Sequence, residues 1–298
     1  MAVLFLLLGC GKDAETGQVR SAYYWSTVFR LDSVQRSFLE QHRITRLYIR
    51  YFDVVDDDGQ PMPNATIQFS DSVPTGVEVV PTVFILNECM RREPGDLAEK
   101  IVKRVLQMNE THDIGNVHEL QIDCDWTQRT EKNFFAFMEK LRKLLREKDI
   151  RLSSTIRLHQ LAGRVPPVDR GVLMVYNTGD FTDLHCEKPI LDKKDVAPYL
   201  RYVADYSLPL SAAYPLFDWR ILFRGGKYVG IMHGEEDLPV LTGDSIVTRD
   251  VSLDEILTVK RALQDRRKDV GEEIVLYELG VKNITKYNTD EYEKILDY

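Results

Sequence analysis

One stretch of the chain shows the pattern that decides the fold most clearly. Residues 118–127 read His118-Glu119-Leu120-Gln121-Ile122-Asp123-Cys124-Asp125-Trp126-Thr127. Apolar and polar residues alternate here, which predicts a β-strand with two different faces. The apolar face would pack on helices, and the polar face would carry Gln121, Asp123 and Asp125. Two carboxylates about 7 Å apart along one strand would then point into the fold.

Similar runs of strand length alternate with segments of helical period along most of the chain. The predicted strands span 22–29, 45–53, 78–86, 118–125, 152–159, 171–177, 208–215 and 273–279. The predicted helices span 31–42, 94–108, 131–148, 194–206, 252–267 and 289–297. Eight strands with intervening helices predict an α/β fold, a single (β/α)₈ or TIM barrel.

Two segments depart from this alternation. Residues 55–77 are acidic and rich in proline, with no helical period, so a long loop is predicted in place of the second helix. Residues 219–232 read as a β-hairpin turning at Gly225-Gly226, which would be an insertion after the seventh strand. A doubly wound open sheet is the main alternative fold, but no Gly-x-Gly-x-x-Gly motif follows a predicted strand.

Composition restricts the possible partners. The chain has 298 residues, a formal net charge of −8 and no long stripe of Lys and Arg, which argues against a nucleic-acid partner. Cys89, Cys124 and Cys186 are odd in number and lack the spacing of a zinc site, so we expect them to be buried thiols. We expect no cofactor.

The N-terminus indicates export. Residues 2–8 form an apolar run too short to span a bilayer, and Leu7-Leu8-Gly9-Cys10 resembles a bacterial lipobox. Cys10 would then be lipidated and would anchor the protein to a membrane in the cell envelope, on the periplasmic side or at the cell surface. Residues 1–19 would be signal and tether, and residues 20–298 the barrel. The alternative is a buried N-terminal strand.

In TIM barrels the functional groups lie at the C-terminal ends of the strands. We therefore expect Asp125 and Asp123 to be catalytic, because burying two acids is costly unless they are bonded or used. Alternatively, Arg157 and hydroxyl groups of neighbouring strands hold the two acids in a purely structural role. Alternation along the fifth strand predicts that Arg157 and His159 point to the same inward side.

Other strand ends supply polar and aromatic groups together. The candidates for binding a substrate, besides Arg157 and His159, are Trp25, Asp53, Tyr176, Asn177, Tyr214 and Glu278. This mixture suits a sugar, whose C–H faces stack on rings while its hydroxyls form hydrogen bonds. The alternative for each aromatic residue is a place in the core.

Two of these segments resemble a known family. Residues 122–126 resemble the strand-four signature of the family 18 glycoside hydrolases, the chitinase-like TIM barrels, and Met174-Val175-Tyr176-Asn177 resembles their strand-six Met-x-Tyr-Asp. Over a wider span, from Leu120 through Gln160 and beyond, the chain is similar to a bacterial family of unknown function placed among hydrolase-like TIM barrels. Family 18 has its proton-donating Glu at the position of Thr127 and an Asp at the position of Asn177. The resemblance therefore implies the fold more firmly than it implies a chitinase mechanism.

Three functional hypotheses follow. The first is a glycoside hydrolase acting on a polysaccharide, with Asp125 as the acid, Asp123 tuning it, and Asp53, Glu88 or Glu278 as a second carboxyl. The second is a non-catalytic carbohydrate-binding lipoprotein. The third is metal-dependent chemistry, and its ligands would be Asp123, Asp125 and His159.

Overall fold

A computed structural model of the chain describes residues 18–232 and 237–297, and the proposed lipid attachment at Cys10 lies outside them. Their strands are β1 (Val19–Tyr24), β2 (Val28–Phe29), β3 (Arg46–Asp57), β4 (Gln60–Asn64), β5 (Gln68–Phe69), β6 (Glu78–Ile85), β7 (Glu119–Asp123), β8 (Arg151–Arg157), β9 (Arg170–Met174), β10 (Leu210–Pro215), β11 (Trp219–Arg224), β12 (Lys227–Met232), β13 (Asp244–Arg249) and β14 (Glu273–Tyr277).

Eight of these strands form a closed parallel barrel. Their order around the ring is β1, β3, β6, β7, β8, β9, β10 and β14, and β1 pairs in parallel with both β3 and β14. The order in the ring is therefore the order in the chain, as expected when each strand is followed by a crossover to its neighbour. The prediction of a TIM barrel is confirmed, and each predicted barrel strand overlaps an observed one.

The α-helices of the described residues are α1 (Ser33–Gln41), α2 (Leu97–Thr111), α3 (Glu131–Arg146), α4 (Lys193–Val196), α5 (Leu200–Asp205), α6 (Leu253–Gln264), α7 (Val281–Ile284) and α8 (Thr289–Leu296). The helix predicted over 194–206 is divided into α4 and α5 by a 3₁₀ turn at Ala197–Tyr199. Pro198 has no N–H to donate within a continuous α-helix, which accounts for the interruption.

Part of the loop predicted over 55–77 is a β-hairpin. Strand β3 continues to Asp57 and pairs antiparallel with β4. Asp58 and Gly59 make the turn with φ of 49° and 84°, a conformation that Gly and Asp tolerate and that suits a two-residue hairpin. No helix lies between β3 and β6, so the predicted loss of the second helix is confirmed.

The insertion after the seventh barrel strand is a three-stranded antiparallel sheet. Strands β11 and β12 turn at Gly225 and Gly226, as predicted, and β13 pairs with the other edge of β11. The third strand was not predicted. Its side chains are exposed or half-buried, so its sequence lacks the run of apolar residues that indicates a strand.

Apolar side chains fill two layers. The larger layer lies between the barrel and its helices, where α3 alone buries Phe134, Phe137, Met138 and Leu141. Burial of one such side chain stabilises the fold by about 1.5–3 kcal/mol. A smaller cluster comprises Tyr23, Tyr48, Val80, Val172, Met174, Tyr176, Ala213 and Val275. Each of the barrel strands β1, β3, β6, β9, β10 and β14 contributes to this smaller cluster, which therefore fills the barrel interior.

Buried ion pairs close the N-terminal end of the barrel. Arg46, Glu119, Arg170 and Glu273 are each the first residue of a parallel strand, so they meet at one end. Glu273 accepts hydrogen bonds from Arg46 Nη1 (3.1 Å) and Ser211 Oγ (2.9 Å), and it pairs with Arg170. Burial alone would raise the pKa of Glu273, but Arg170 and Arg46 lower it to about 2.

The C-terminal segment is held against the first strand. Arg20 of β1 pairs with Glu293 and Asp297, at N···O distances of 2.9 and 2.6 Å. The buried amine of Lys260 donates to the carbonyl oxygens of Lys294 (3.1 Å) and Ile295 (2.8 Å), at the end of α8. Within the described residues, the helices are too short or too polar to cross a bilayer.

Candidate functional site

A cavity of about 740 Å³ lies at the C-terminal end of the barrel, opposite the end that is closed by the ion pairs of Glu273. Its lining residues are Trp25, Ser26, Arg50, Phe84, Asp123, Asp125, Arg157, Met174, Tyr176, Asn177, Phe217, Asp218, Trp219, Arg220, Ile231, Met232, Tyr277, Glu278, Gly280, Val281, Lys282 and Asn283. They come from barrel strands, from the segments that follow them and from the inserted sheet. We call this space the barrel cavity.

Arg157 joins the two carboxylates of the strand-four motif. Asp123 is the last residue of β7, and its Oδ1 accepts hydrogen bonds from Thr155 Oγ1 (2.6 Å) and Arg157 Nη2 (3.2 Å). Arg157 Nε pairs with Asp125, which lies two residues beyond the strand. The two acids are thus held by an arginine and a hydroxyl of the neighbouring strand, which is the alternative arrangement considered from the sequence.

The two carboxylates differ in their surroundings. Asp123 is buried, whereas the side chain of Asp125 is 57% exposed. Burial raises the pKa of Asp123, and the charge of Arg157 and the hydrogen bond from Thr155 oppose this effect. The nearby carboxylates raise the pKa of Arg157, although its burial acts in the opposite direction.

Thr127 stands where the family 18 resemblance would place the proton-donating Glu. It is exposed, and its Oγ1 lies 3.4 Å from the hydroxyl of Thr130, which donates to Asn87 Oδ1 at 2.6 Å. A threonine hydroxyl does not ionise in the pH range in which a carboxyl group donates its proton, so it cannot replace that group as a general acid. This position therefore lacks the group that a chitinase-type protonation requires.

Aromatic rings form the floor and one side of the barrel cavity. The Tyr277 ring is central: its centroid lies 4.8 Å from Tyr176, 5.7 Å from Trp25 and 5.9 Å from Phe217. Tyr23 lies beneath, with its centroid 5.5 Å from that of Tyr277, and its hydroxyl donates to Gln121 Oε1 at 2.7 Å. Ring clusters of this kind present flat apolar surfaces edged by polar groups.

Glu278 follows Tyr277 at the end of the eighth barrel strand. Burial raises the pKa of its carboxyl, and a backbone hydrogen bond from Trp25 partly opposes the change. No ion pair joins Glu278 to another residue in the described part of the chain. In the ring of strands it lies across from β7, so the barrel cavity has carboxyl groups on two opposite sides.

Arg50 connects strand two to the aromatic cluster. Its Nε donates to Asp53 Oδ1 at 2.7 Å, and its guanidinium carbon lies 5.5 Å from the centroid of the Trp25 ring. A guanidinium over an indole face is a favourable cation–π contact. Asp53 is buried by this pairing and does not line the cavity, so its predicted place among the binding residues is corrected: it supports Arg50.

Two other predicted binding residues lie elsewhere. Strand β8 ends at Arg157 and a 3₁₀ helix, Leu158–Ala162, follows, so the alternation stops and His159 is exposed outside the cavity. Tyr214 is buried in the layer between barrel and helices, because on β10 the inward positions belong to its neighbours such as Ala213. His159 is therefore not available as a metal ligand beside Asp123 and Asp125. Among the described residues, no three His, Cys, Asp or Glu side chains are grouped to bind a metal ion.

The structure brings Asp123, Asp125, Arg157, Trp25, Tyr176, Asn177 and Glu278 together around the cavity, as expected for strand ends. Among the lining residues that were not predicted are Tyr277, Phe217, Trp219, Arg220 and Lys282. A signal for two of them was present: Phe217 and Trp219 follow directly after the seventh predicted strand, where TIM barrels place functional side chains.

Comparisons with known proteins give structural matches only. No family model matches the chain, and no curated protein matches it. The spore cortex-lytic enzyme SleL of Bacillus cereus aligns with a TM-score of 0.58 and 14% identity, covering 92% of this chain and 74% of SleL. A chitinase from Chromobacterium violaceum aligns with a TM-score of 0.59 and 11% identity over 94% of this chain and 98% of its own.

A mutant family 18 chitinase from Cycas revoluta, solved in complex with (GlcNAc)₄, aligns with a TM-score of 0.58 and 14% identity, covering 92% of this chain and 99% of its own. Identities this low establish the fold alone. The chain is a closed eight-stranded TIM barrel of the kind found in the chitinase-like family 18 glycoside hydrolases.

Proposed function

We propose that the barrel cavity binds a carbohydrate, an oligosaccharide or a segment of a polysaccharide. The observation that carries this proposal is the cluster of Trp25, Tyr176, Phe217 and Tyr277, which adjoins the ion-paired groups Arg157 and Asp125. Rings stack on the C–H faces of sugars while charged groups bond to hydroxyls. The Cycas revoluta chitinase, which shares the fold, was solved with an oligosaccharide bound.

Binding without chitinase-type hydrolysis accounts for three features of the site. Thr127 replaces the acid that the family resemblance requires, and Asn177 replaces a carboxylate on strand six. Arg157 engages both remaining strand-four carboxylates, so neither is free to serve as a protonated donor without breaking an ion pair. The cavity and its rings are present in this chain without a Glu at position 127.

The test is a comparison of binding with product release on the same glycans. Purified protein is titrated calorimetrically with oligomers of β-1,4-linked N-acetylglucosamine, with cello-oligosaccharides and with peptidoglycan fragments, and reducing ends are assayed in parallel. We expect saturable binding of at least one class and no increase in reducing ends. No binding of any of these glycans would contradict the proposal.

Glycoside hydrolysis is the second candidate, and the position of Glu278 favours it. This carboxyl lines the cavity, its pKa is raised, and it follows β14, the barrel strand opposite the one that precedes Asp125. A raised pKa suits a group that protonates a leaving oxygen. Should the protein release reducing ends, Asp125→Asn and Glu278→Gln would each abolish release. Wild-type turnover in either variant would exclude that residue.

We also propose that the chain is attached to a bacterial membrane through lipid on Cys10 and acts outside the cytoplasm, in the cell envelope. The support is the segment Leu7-Leu8-Gly9-Cys10 after a short apolar run. A polymer of the envelope or its surroundings would then be the natural partner.

A further inference from the structure

The charged side chains that line the barrel cavity are balanced in number but not in pairing. Among the described residues, the lining has four cationic and four acidic side chains, namely Arg50, Arg157, Arg220 and Lys282, and Asp123, Asp125, Asp218 and Glu278. Three of the cations are bonded within the protein. Arg50 pairs with Asp53, Arg157 pairs with both strand-four carboxylates, and Lys282 Nζ lies 2.7 Å from Asp218 Oδ2.

Arg220 is the fourth cation, and it has no such partner. In the part of the chain that the structure describes, neither an ion pair nor a hydrogen bond joins its guanidinium to another residue. Arg220 is nevertheless half-buried. A guanidinium is always charged and carries five N–H donors, so its partial removal from water without a partner costs free energy. An anion bound to Arg220 would offset this cost.

The pairing of its strand explains why Arg220 faces the cavity. Arg220 is the second residue of β11 and lies directly opposite Met232 of β12. Residues directly opposite each other on paired antiparallel strands share one face of the sheet. Met232 lines the cavity, as Arg220 does. The guanidinium is therefore available to whatever occupies the cavity.

The acidic groups of the cavity do not exclude a second anion. Asp125 and Asp218 each pair with a cation of the lining. Burial raises the pKa of the other two carboxyls, Asp123 and Glu278, and so disfavours their charged forms. Arg220 is therefore the lining cation that remains for a negatively charged ligand.

We infer that the carbohydrate bound in the barrel cavity is acidic, and that Arg220 binds its carboxylate. This inference rests on the proposed carbohydrate binding and names the class of sugar. A carboxylate matches the planar fork of a guanidinium, which donates two parallel hydrogen bonds to it. Two sources of this group are a uronic acid, in which it replaces the hydroxymethyl group, and a muramic acid, in which a lactyl ether carries it. Neutral oligomers of glucose or N-acetylglucosamine lack it.

The test uses two pairs of tetrasaccharides whose members differ in the carboxylate. The tetramer of β-1,4-linked glucuronic acid is compared with cellotetraose. The peptide-free tetramer of alternating N-acetylglucosamine and N-acetylmuramic acid is compared with the tetramer of N-acetylglucosamine. Dissociation constants are measured by calorimetry with wild type, Arg220→Met, Arg220→Lys and Lys227→Met. Lys227 is exposed on β12 and does not line the cavity, so its substitution removes the same charge from the same sheet.

We expect wild type to bind the acidic member of at least one pair about 10-fold more tightly than its neutral counterpart. This is the lower end of the range for a hydrogen bond to a charged group, because Arg220 is only half-buried. Arg220→Met should abolish the preference and leave the affinity for the neutral member unchanged. Arg220→Lys should retain part of the preference, and Lys227→Met all of it. The pair that shows the preference identifies the source of the carboxylate.

Two results would overturn the inference and leave the proposed function intact. One is a wild-type protein that binds the acidic members no more tightly than the neutral ones, a comparison that needs no variant. The other is a preference for the acidic member that persists in Arg220→Met. Failure of all four tetrasaccharides to bind would instead contradict the proposed carbohydrate binding for these sugars.

Discussion

Arg157 Nη2 lies 3.2 Å from Asp123 Oδ1, and this pair joins the ends of two neighbouring barrel strands beneath the cavity. Asp123 is buried, so its charge depends on the arginine for compensation. The same guanidinium reaches outward to Asp125 through Nε. One side chain thereby contacts both a buried and an exposed carboxylate at the C-terminal end of the barrel.

Removing the arginine should cost stability. Arg157→Met leaves Asp123 buried without its cation, and we expect a loss of about 3 kcal/mol in the free energy of unfolding. Adding Asp123→Asn should restore part of that loss, because the neutral amide needs no counter-charge. Urea denaturation of the two single variants and the double variant measures the coupling. Strictly additive losses would show that the pair is not coupled.

Acid should weaken the N-terminal end of the barrel through Glu273. Its pKa in the folded protein is about 2, below the ordinary value of 4.5, so its ion pairs contribute fully above pH 4.5. This contribution is lost as the pH falls from 4.5 to 2, and it amounts to about 3 kcal/mol. Denaturation between pH 7 and pH 2 measures the loss.

The control for this pH dependence is Glu273→Gln. Its unfolding free energy should be lower than that of wild type at pH 7 and should fall less steeply between pH 4.5 and pH 2. Other acids with lowered pKa, such as Asp169, remain in both proteins, so the difference between the two curves isolates Glu273. Parallel curves would refute the assignment.

Loss of the central ring of the cavity floor should weaken glycan binding. Tyr277→Ala removes a ring that contacts Trp25, Tyr176 and Phe217, and we expect glycan affinity to fall at least about tenfold. Tyr277→Phe keeps the ring and should keep most of the affinity. Tyr202→Ala, a tyrosine outside the cavity, serves as control. Equal affinity in Tyr277→Ala and wild type would remove this ring from the site.

Cys10→Ser should abolish lipid attachment. We expect the wild-type chain, expressed in a bacterium, to incorporate labelled palmitate and to fractionate with membranes. The serine variant should incorporate no label, because no thiol remains to be acylated. Cys186→Ser is the matched control and should behave as wild type. Label in the Cys10→Ser protein would place the lipid elsewhere or exclude this mode of anchoring.

The barrel was predictable from sequence because buried parallel strands leave apolar runs and their helices leave a 3.6-residue period. The strand-end rule then located Asp123, Asp125, Arg157, Tyr176 and Glu278 correctly at one end. It failed for His159 because alternation holds only while the strand continues, and β8 ends at Arg157. It failed for Tyr214 because the face that points inward was assigned wrongly on β10.

The inserted sheet shows the other limit. Its hairpin was predicted from Gly225 and Gly226, but β13 was not, since neither face of that strand is fully buried. The nearness of Phe181 to Tyr228 joins segments far apart in the chain, and no local pattern indicates it. Local periodicity predicts elements, whereas contacts between inserted segments depend on packing that only the three-dimensional structure contains.

The direction of the first strand determines at which end of the barrel an anchored segment would join it. Strand β1 begins at Val19 beside the buried ion pairs, at the end of the barrel opposite the cavity. A chain held to a bilayer ahead of this point would enter the barrel from its closed end. The cavity lies at the other end of the barrel, so a tether joined at β1 would not lie across its mouth.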